Sequence, residues 1–219
     1  MGLSGGRARP DPRLVGAAGA LAAILFIALF RLRRLGPLDF WAWLALNVVI
    51  VAALGFLIDS GYTQRLRQDL RSGLLRKAAL GVASAAVLYA VFAVGRIVAL
   101  RVFLFAGAGI GGVYALRAGV PVLRIVLLIG LVIGPGEEIF WRGFFQEGAG
   151  ATTSPAYGFA LTALLYAAVH LSSGNIMLVL AAAVCGIFWG WLYLRFRSPV
   201  LNIVSHTLWD LMVFVVFPF

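Results

Sequence analysis

The feature that most limits what this chain can become is a series of apolar runs, each about as long as a bilayer is thick, punctuated by arginines. The runs cover about 14–30, 38–58, 78–95, 102–116, 120–147, 155–171, 175–194 and 199–217. About 20 apolar residues suffice for one membrane-crossing helix, and backbone polar groups in lipid must be satisfied within the spanning structure itself. The expected fold is all-α: a polytopic transmembrane helical bundle of about eight helices. Of 219 residues, 12% are charged and 63% apolar, whereas a soluble domain carries roughly 25% and 45–50%. That balance excludes a water-soluble globule, and the hydrophobicity excludes disorder.

The net charge of +10 comes from 18 basic residues, all but one of them arginine, against eight acids. Clusters at Arg31, Arg33 and Arg34, at Arg65, Arg67, Arg71, Arg76 and Lys77, and at Arg195 and Arg197 stand at the ends of apolar runs. There they anchor helices among headgroups, so the partner implied is membrane lipid. No aromatic–basic RNA motif accompanies them, which argues against nucleic acid. Loop charge leaves orientation open, because the 31–34 and 59–77 clusters fall on opposite sides of the membrane. Cys185 stands alone inside an apolar run, so no disulfide or thiolate cluster is available and it reads as a packing residue. Arg7, Arg9 and Arg13 followed by apolar 14–30 resemble a signal peptide; with so many later runs, the segment reads as a first membrane helix or a retained anchor. Three regions result: a Gly/Pro/Arg tail at 1–13, expected to be mobile; N-terminal transmembrane helices at 14–119 with a basic amphipathic connector at 59–77; and a core at 120–219.

Ionisable residues inside membrane spans are costly and point to function. Here they are Glu137, Glu138 and Arg142 in Gly-Pro-Gly-Glu-Glu-Ile-Phe-Trp-Arg, His170 in Tyr-Ala-Ala-Val-His, and His206 and Asp210 in His-Thr-Leu-Trp-Asp. Both histidines of the chain and three of its eight acids fall in these late runs. Glu138 and Arg142 are four apart and can pair on one face, while Glu137 is turned about 100° away and left free. Tyr166 and His170, and His206 and Asp210, repeat the four-residue spacing. Gly134-Pro135-Gly136 is expected to kink or interrupt its helix and open space beside the glutamates.

This set offers a carboxylate and imidazoles without a matched nucleophile, since Ser172, Ser173 and Ser205 are helical neighbours of the histidines and point elsewhere. A carboxylate activating water fits better than covalent serine chemistry. Glu137 with His170 could polarise water toward a peptide carbonyl, and His206 with Asp210 could stabilise the oxyanion. An ionised Asp210 would repel that oxyanion, so Asp210 must be protonated, turned away, or employed in positioning His206.

In order, Glu-Glu-x-x-x-Arg, aromatic-x-x-x-His and His-x-x-x-Asp resemble the CAAX prenyl-protease type II family, the group of the Ras-converting enzyme and its bacterial and archaeal relatives. The resemblance covers about 120–217; residues 1–119 share only hydrophobicity with it. It implies an eight-helix intramembrane endopeptidase that cuts near the C-terminus of a membrane-associated peptide or lipidated-protein substrate, without a cofactor or metal. The family roles fall on Glu137 and His170 for water activation and on His206 and Asp210 for the oxyanion hole, with Glu138, Arg142 and Tyr166 in support. Tyr166 stands where the family usually has phenylalanine, and Asp210 where its eukaryotic members have asparagine. The expected location is a prokaryotic cell (inner) membrane. Two rival readings stand beside this one: a zinc-dependent protease using Glu137, His170 and His206, and a non-proteolytic scaffold, immunity protein or transporter. Glu147 reads as a solvated helix end, Asn175 and Asn202 as helix-start or packing residues, and Trp189, Trp191 and Trp209 as interfacial or lipid-facing aromatics.

Overall fold

The computed structural model describes residues 10–219. Residues 1–9 of the N-terminal tail lie outside the described residues, and Pro12 and Arg13 already belong to the first helix. Among the described residues the chain forms nine helices and no strand: α1 Pro12–Leu32, α2 Phe40–Ile58, α3 Tyr62–Arg71, α4 Leu74–Val102, α5 Ala106–Arg117, α6 Val122–Ala151, α7 Pro155–His170, α8 Ile176–Phe196 and α9 Pro199–Leu211, which runs on as a π-turn at Met212–Val216.

Local chemistry sets many of the boundaries. Asp11, Asp39, Ser154, Asn175 and Ser198 each accept a backbone N–H from the first turn of α1, α2, α7, α8 and α9. All five acceptors are followed by a first-turn proline or an apolar run, the usual punctuation of a helix start. Arg33 and Arg197 close α1 and α8 in the left-handed region, at φ 60° and 52°.

Six helices are long and apolar enough to cross a membrane: α1, α2, α4, α7, α8 and α9 with its π-turn. The pair α5 and α6, bent by 93° at the break, brings the number to seven at most. The expected eight is corrected on physical grounds. At 1.5 Å per residue the twelve residues of α5 reach roughly 18 Å, well short of a hydrocarbon core about 30 Å thick. It forms instead one arm of the bent pair.

The helix that carries the two glutamates also departs from expectation. Pro135 does not break α6. Its missing N–H is absorbed by π-helical turns on both sides, Ile129–Ile133 and Glu138–Gln146, the usual form of a locally widened helix. Gly134 and Gly136 do not open space; they let other helices in. A Cβ on Gly134 would stand 2.3 Å from Thr207 Oγ1 of α9, and one on Gly136 would stand 2.3 Å from Val48 Cγ1 of α2. The glycines thus bring α6 into backbone-close contact with both neighbours, as small residues do between membrane helices.

The 59–77 stretch folds as α3 plus the first turn of α4. Asp69 fastens it to the start of α9 by accepting from Ser198 Oγ (2.8 Å) and Val200 N (3.0 Å). Tyr62, buried and stacked on Phe56, donates its hydroxyl to Ile139 O (2.8 Å) in the π-helical part of α6. Burial pushes the Tyr62 hydroxyl well above its ordinary value. The result is a cap seated on one end of the bundle, in direct contact with the segment that carries Glu138.

Candidate active site

Polar groups from α6, α7, α8 and α9 meet inside the bundle, and adjacent glutamates serve different neighbours. Glu138 is fully buried and faces α9. Its Oε1 accepts from Arg142 Nη1 (2.9 Å) and His206 Nδ1 (2.7 Å), and its Oε2 accepts from Asn202 Nδ2 (3.0 Å). Arg142 is equally buried, with its guanidinium carbon 4.9 Å from the Tyr166 ring centroid and 5.6 Å from that of Trp189. An ion pair out of water is tolerated when its remaining valences are filled. Here a carboxylate with three donors and a guanidinium between two aromatic faces largely meet that condition, leaving Arg142 Nε and Nη2 without hydrogen bonds.

Glu137 faces α7. Its Oε2 accepts the Tyr166 hydroxyl at 2.9 Å. The carbonyl of the same Tyr166 lies 2.7 Å from His170 Nδ1. A carbonyl only accepts, so Nδ1 carries the proton and Nε2 presents a bare lone pair. Phe30 of α1 lies against the His170 ring, centroid to centroid 4.3 Å. One tyrosine therefore holds both the carboxylate and the imidazole.

His206 is fixed on three sides. Its Nδ1 meets Glu138, its ring lies on Trp189 at 3.7 Å and 20°, and Nε2 is 3.5 Å from Asp210 Oδ2. Of the arrangements open to Asp210, the turned-away one is not adopted: its carboxyl borders the Nε2 edge of His206. A cavity of about 550 Å³ is lined by Glu137, Tyr166, His170, His206 and Asp210 at its polar part and by apolar side chains of α1, α2, α4, α5, α8 and α9 with its π-turn elsewhere. Glu138, Arg142 and Asn202 stand behind that wall.

The structure thus gathers all seven residues singled out from sequence, and adds Asn202 and Trp189, whose sequence context points only to packing and to an interfacial or lipid-facing aromatic. Asn202 is a Glu138 ligand that also donates to Trp189 O (2.8 Å). The spacing Asn202, His206, Asp210, four and four, carried that signal. Trp189 is fully buried beneath His206 and donates Nε1 to Ser205 Oγ (3.2 Å), and Trp209 is buried against Phe92; of the three tryptophans only Trp191 is exposed. Glu147 is tied to Tyr193 (3.1 Å) and Arg197 (2.6 Å). Cys185 is buried and borders the cavity. Among the described residues, no three His, Cys, Asp or Glu side chains are grouped to hold a metal ion.

Long apolar helices packed around buried carboxylates and imidazoles define an integral membrane protein with a polar site inside the bundle. Residues 119–212, which contain every one of these polar residues, match the family described as type II CAAX prenyl endopeptidase Rce1-like. It is a family of proteases. No curated protein and no solved structure matches the chain.

Proposed function

We propose that the chain is an intramembrane endopeptidase that hydrolyses a peptide bond near the C-terminus of a membrane-associated or lipidated substrate, with water activated by Glu137 and His170. The observation that carries this reading is the double use of Tyr166: its hydroxyl binds Glu137 and its carbonyl fixes His170 Nδ1, so that both groups border one cavity in set orientations. A water between them donates one proton to Glu137 and the other, as a hydrogen bond, to the bare His170 Nε2. Its oxygen attacks the peptide carbonyl carbon, a C–O bond forms, and the π-electrons move to the carbonyl oxygen. Collapse of that oxyanion breaks the C–N bond, and the proton held by Glu137 passes to the departing amine.

His206 serves the oxyanion. Glu138, an acceptor, keeps a proton on Nδ1, and a doubly protonated ring then donates from Nε2 toward the cavity. Asp210 bounds that edge of the imidazole and acts as its positioning partner. Arg142 and Asn202 hold Glu138 and so set the angle of His206.

The test is a comparison of membrane-fraction peptides from cells expressing the wild type and Glu137→Gln. The expected result is at least one membrane-associated precursor that keeps its C-terminal segment in the variant and loses it in the wild type. Identical peptide ends in both strains at equal protein abundance would overturn the reading.

A further inference from the structure

The cavity contains one arginine that the polar site does not use. Arg96 lies on α4 with Phe92, Gly95, Ala99 and Phe103, which line the cavity on the same helix face. It is exposed, and it makes no hydrogen bond or ion pair among the described residues. Tyr114, on the same wall, already gives its hydroxyl to Val213 O (3.2 Å) and accepts from Phe219 N (3.0 Å).

Arg96 stands six residues inside the end of α4 at Val102, roughly 9 Å along the axis. It directly follows the apolar run 78–95 and lies on the helix face that lines the cavity. Arg101, at the helix end and outside the cavity wall, already supplies an interfacial anchor. Arg96 is the one arginine or lysine lining the cavity among the described residues; the acids there, Glu137 and Asp210, belong to its polar part. A free guanidinium in an otherwise apolar wall is a fork suited to one planar anion, a carboxylate.

Resting on the endopeptidase reading above, we propose that Arg96 binds the terminal carboxylate of the peptide being cut. A protease that acts close to a chain end must bring that carboxylate into this apolar space, where it needs a counter-charge. Holding the end at Arg96 fixes how many residues separate it from the bond presented to Glu137 and His170. Arg96 is thus a specificity determinant contributed by α4, outside the 119–212 segment that carries the family match.

The experiment measures binding of a fluorescent S-farnesylated heptapeptide, as free acid and as C-terminal amide, to the full chain in micelles by fluorescence anisotropy. Glu137→Gln is used so that nothing turns over. The acid is expected to bind about 10- to 100-fold more tightly than the amide, the range of a charge-assisted hydrogen-bonded pair. Arg96→Gln should bring the two within about 2-fold, Arg96→Lys should keep part of the preference, and Arg101→Gln should keep all of it. Equal binding of acid and amide, binding of neither, or an acid preference that survives Arg96→Gln overturns the proposal. Phosphatidylglycerol tests a lipid phosphate as the anion: if it alone abolishes the acid preference at a few mole per cent, Arg96 is a lipid site and the proposal fails. The wild type tested for cleavage of the same peptide separates the two readings. Acid-selective binding without hydrolysis removes the endopeptidase, whereas hydrolysis without acid selectivity removes Arg96.

Discussion

Glu137 and Glu138 differ by one position in sequence, and their substitution by glutamine should separate activity from stability. At Glu138 the amide has no workable orientation. Oε1 receives donors from Arg142 and His206, and Oε2 receives one from Asn202, so an NH₂ at either place faces a donor. The buried Arg142 guanidinium would also lose its counter-charge. Removing one partner of a buried pair costs about 3–5 kcal/mol, and the Tyr166 and Trp189 faces that remain offset about 1–2 of this at most. The net of about 1–4 kcal/mol, at roughly 2–4 °C per kcal/mol for a chain of this size, means that Glu138→Gln should lower the midpoint of thermal unfolding by about 2–16 °C. Glu137 accepts a single hydroxyl hydrogen bond, which an amide oxygen also accepts. Glu137→Gln should therefore shift the midpoint by no more than about 3 °C, equivalent to about 1 kcal/mol, while lowering turnover by at least about 100-fold through loss of the base. Both quantities can be read on the same preparation, unfolding by intrinsic tryptophan fluorescence in micelles and turnover with a quenched lipopeptide. A Glu137→Gln protein less stable than Glu138→Gln, or one fully active, would refute this division of roles.

Two further substitutions probe the supports of the site. Tyr166→Phe removes the hydroxyl that Glu137 binds but leaves the carbonyl that fixes His170; turnover should fall about 10-fold with KM little changed, measured with the same lipopeptide. Tyr62→Phe leaves Ile139 O without its donor at the seam between α3 and α6, at a cost of about 1–3 kcal/mol. The raised Tyr62 ionisation also fixes the sign of a pH effect. The folded state favours the protonated hydroxyl, so its contribution is complete below about pH 10, the unfolded value, and is lost as pH rises through the folded one. The wild type should lose more stability than Tyr62→Phe above pH 10, and parallel pH profiles would contradict the assignment.

Much of the site was legible because its residues lie at helical spacing against an apolar background. Glu138 with Arg142 and His206 with Asp210 follow from four-residue offsets, and their scarcity in apolar runs marks them out. The Gly134-Pro135-Gly136 stretch was misleading because the same residues that break an isolated helix can instead serve close packing. Here the two glycines seat Thr207 and Val48, and those contacts come from distant parts of the chain. The tryptophans misled in a similar way: an aromatic in an apolar run reads alike whether it meets lipid or His206.

The sequence by itself determined the membrane class of this protein, the starts of its helices and the ionisable groups that would share a face, because these depend on composition and on the period of one helix. Only the tertiary structure decided that Tyr166 serves Glu137 and His170 together, that Asn202 and Trp189 belong to the setting of His206, that α5 is an arm of a bent pair and that Arg96 enters the cavity wall. Each of these depends on the register and crossing of separate helices. Helical periodicity gives the direction in which a side chain leaves its own axis; what it meets is fixed by how the helices pack.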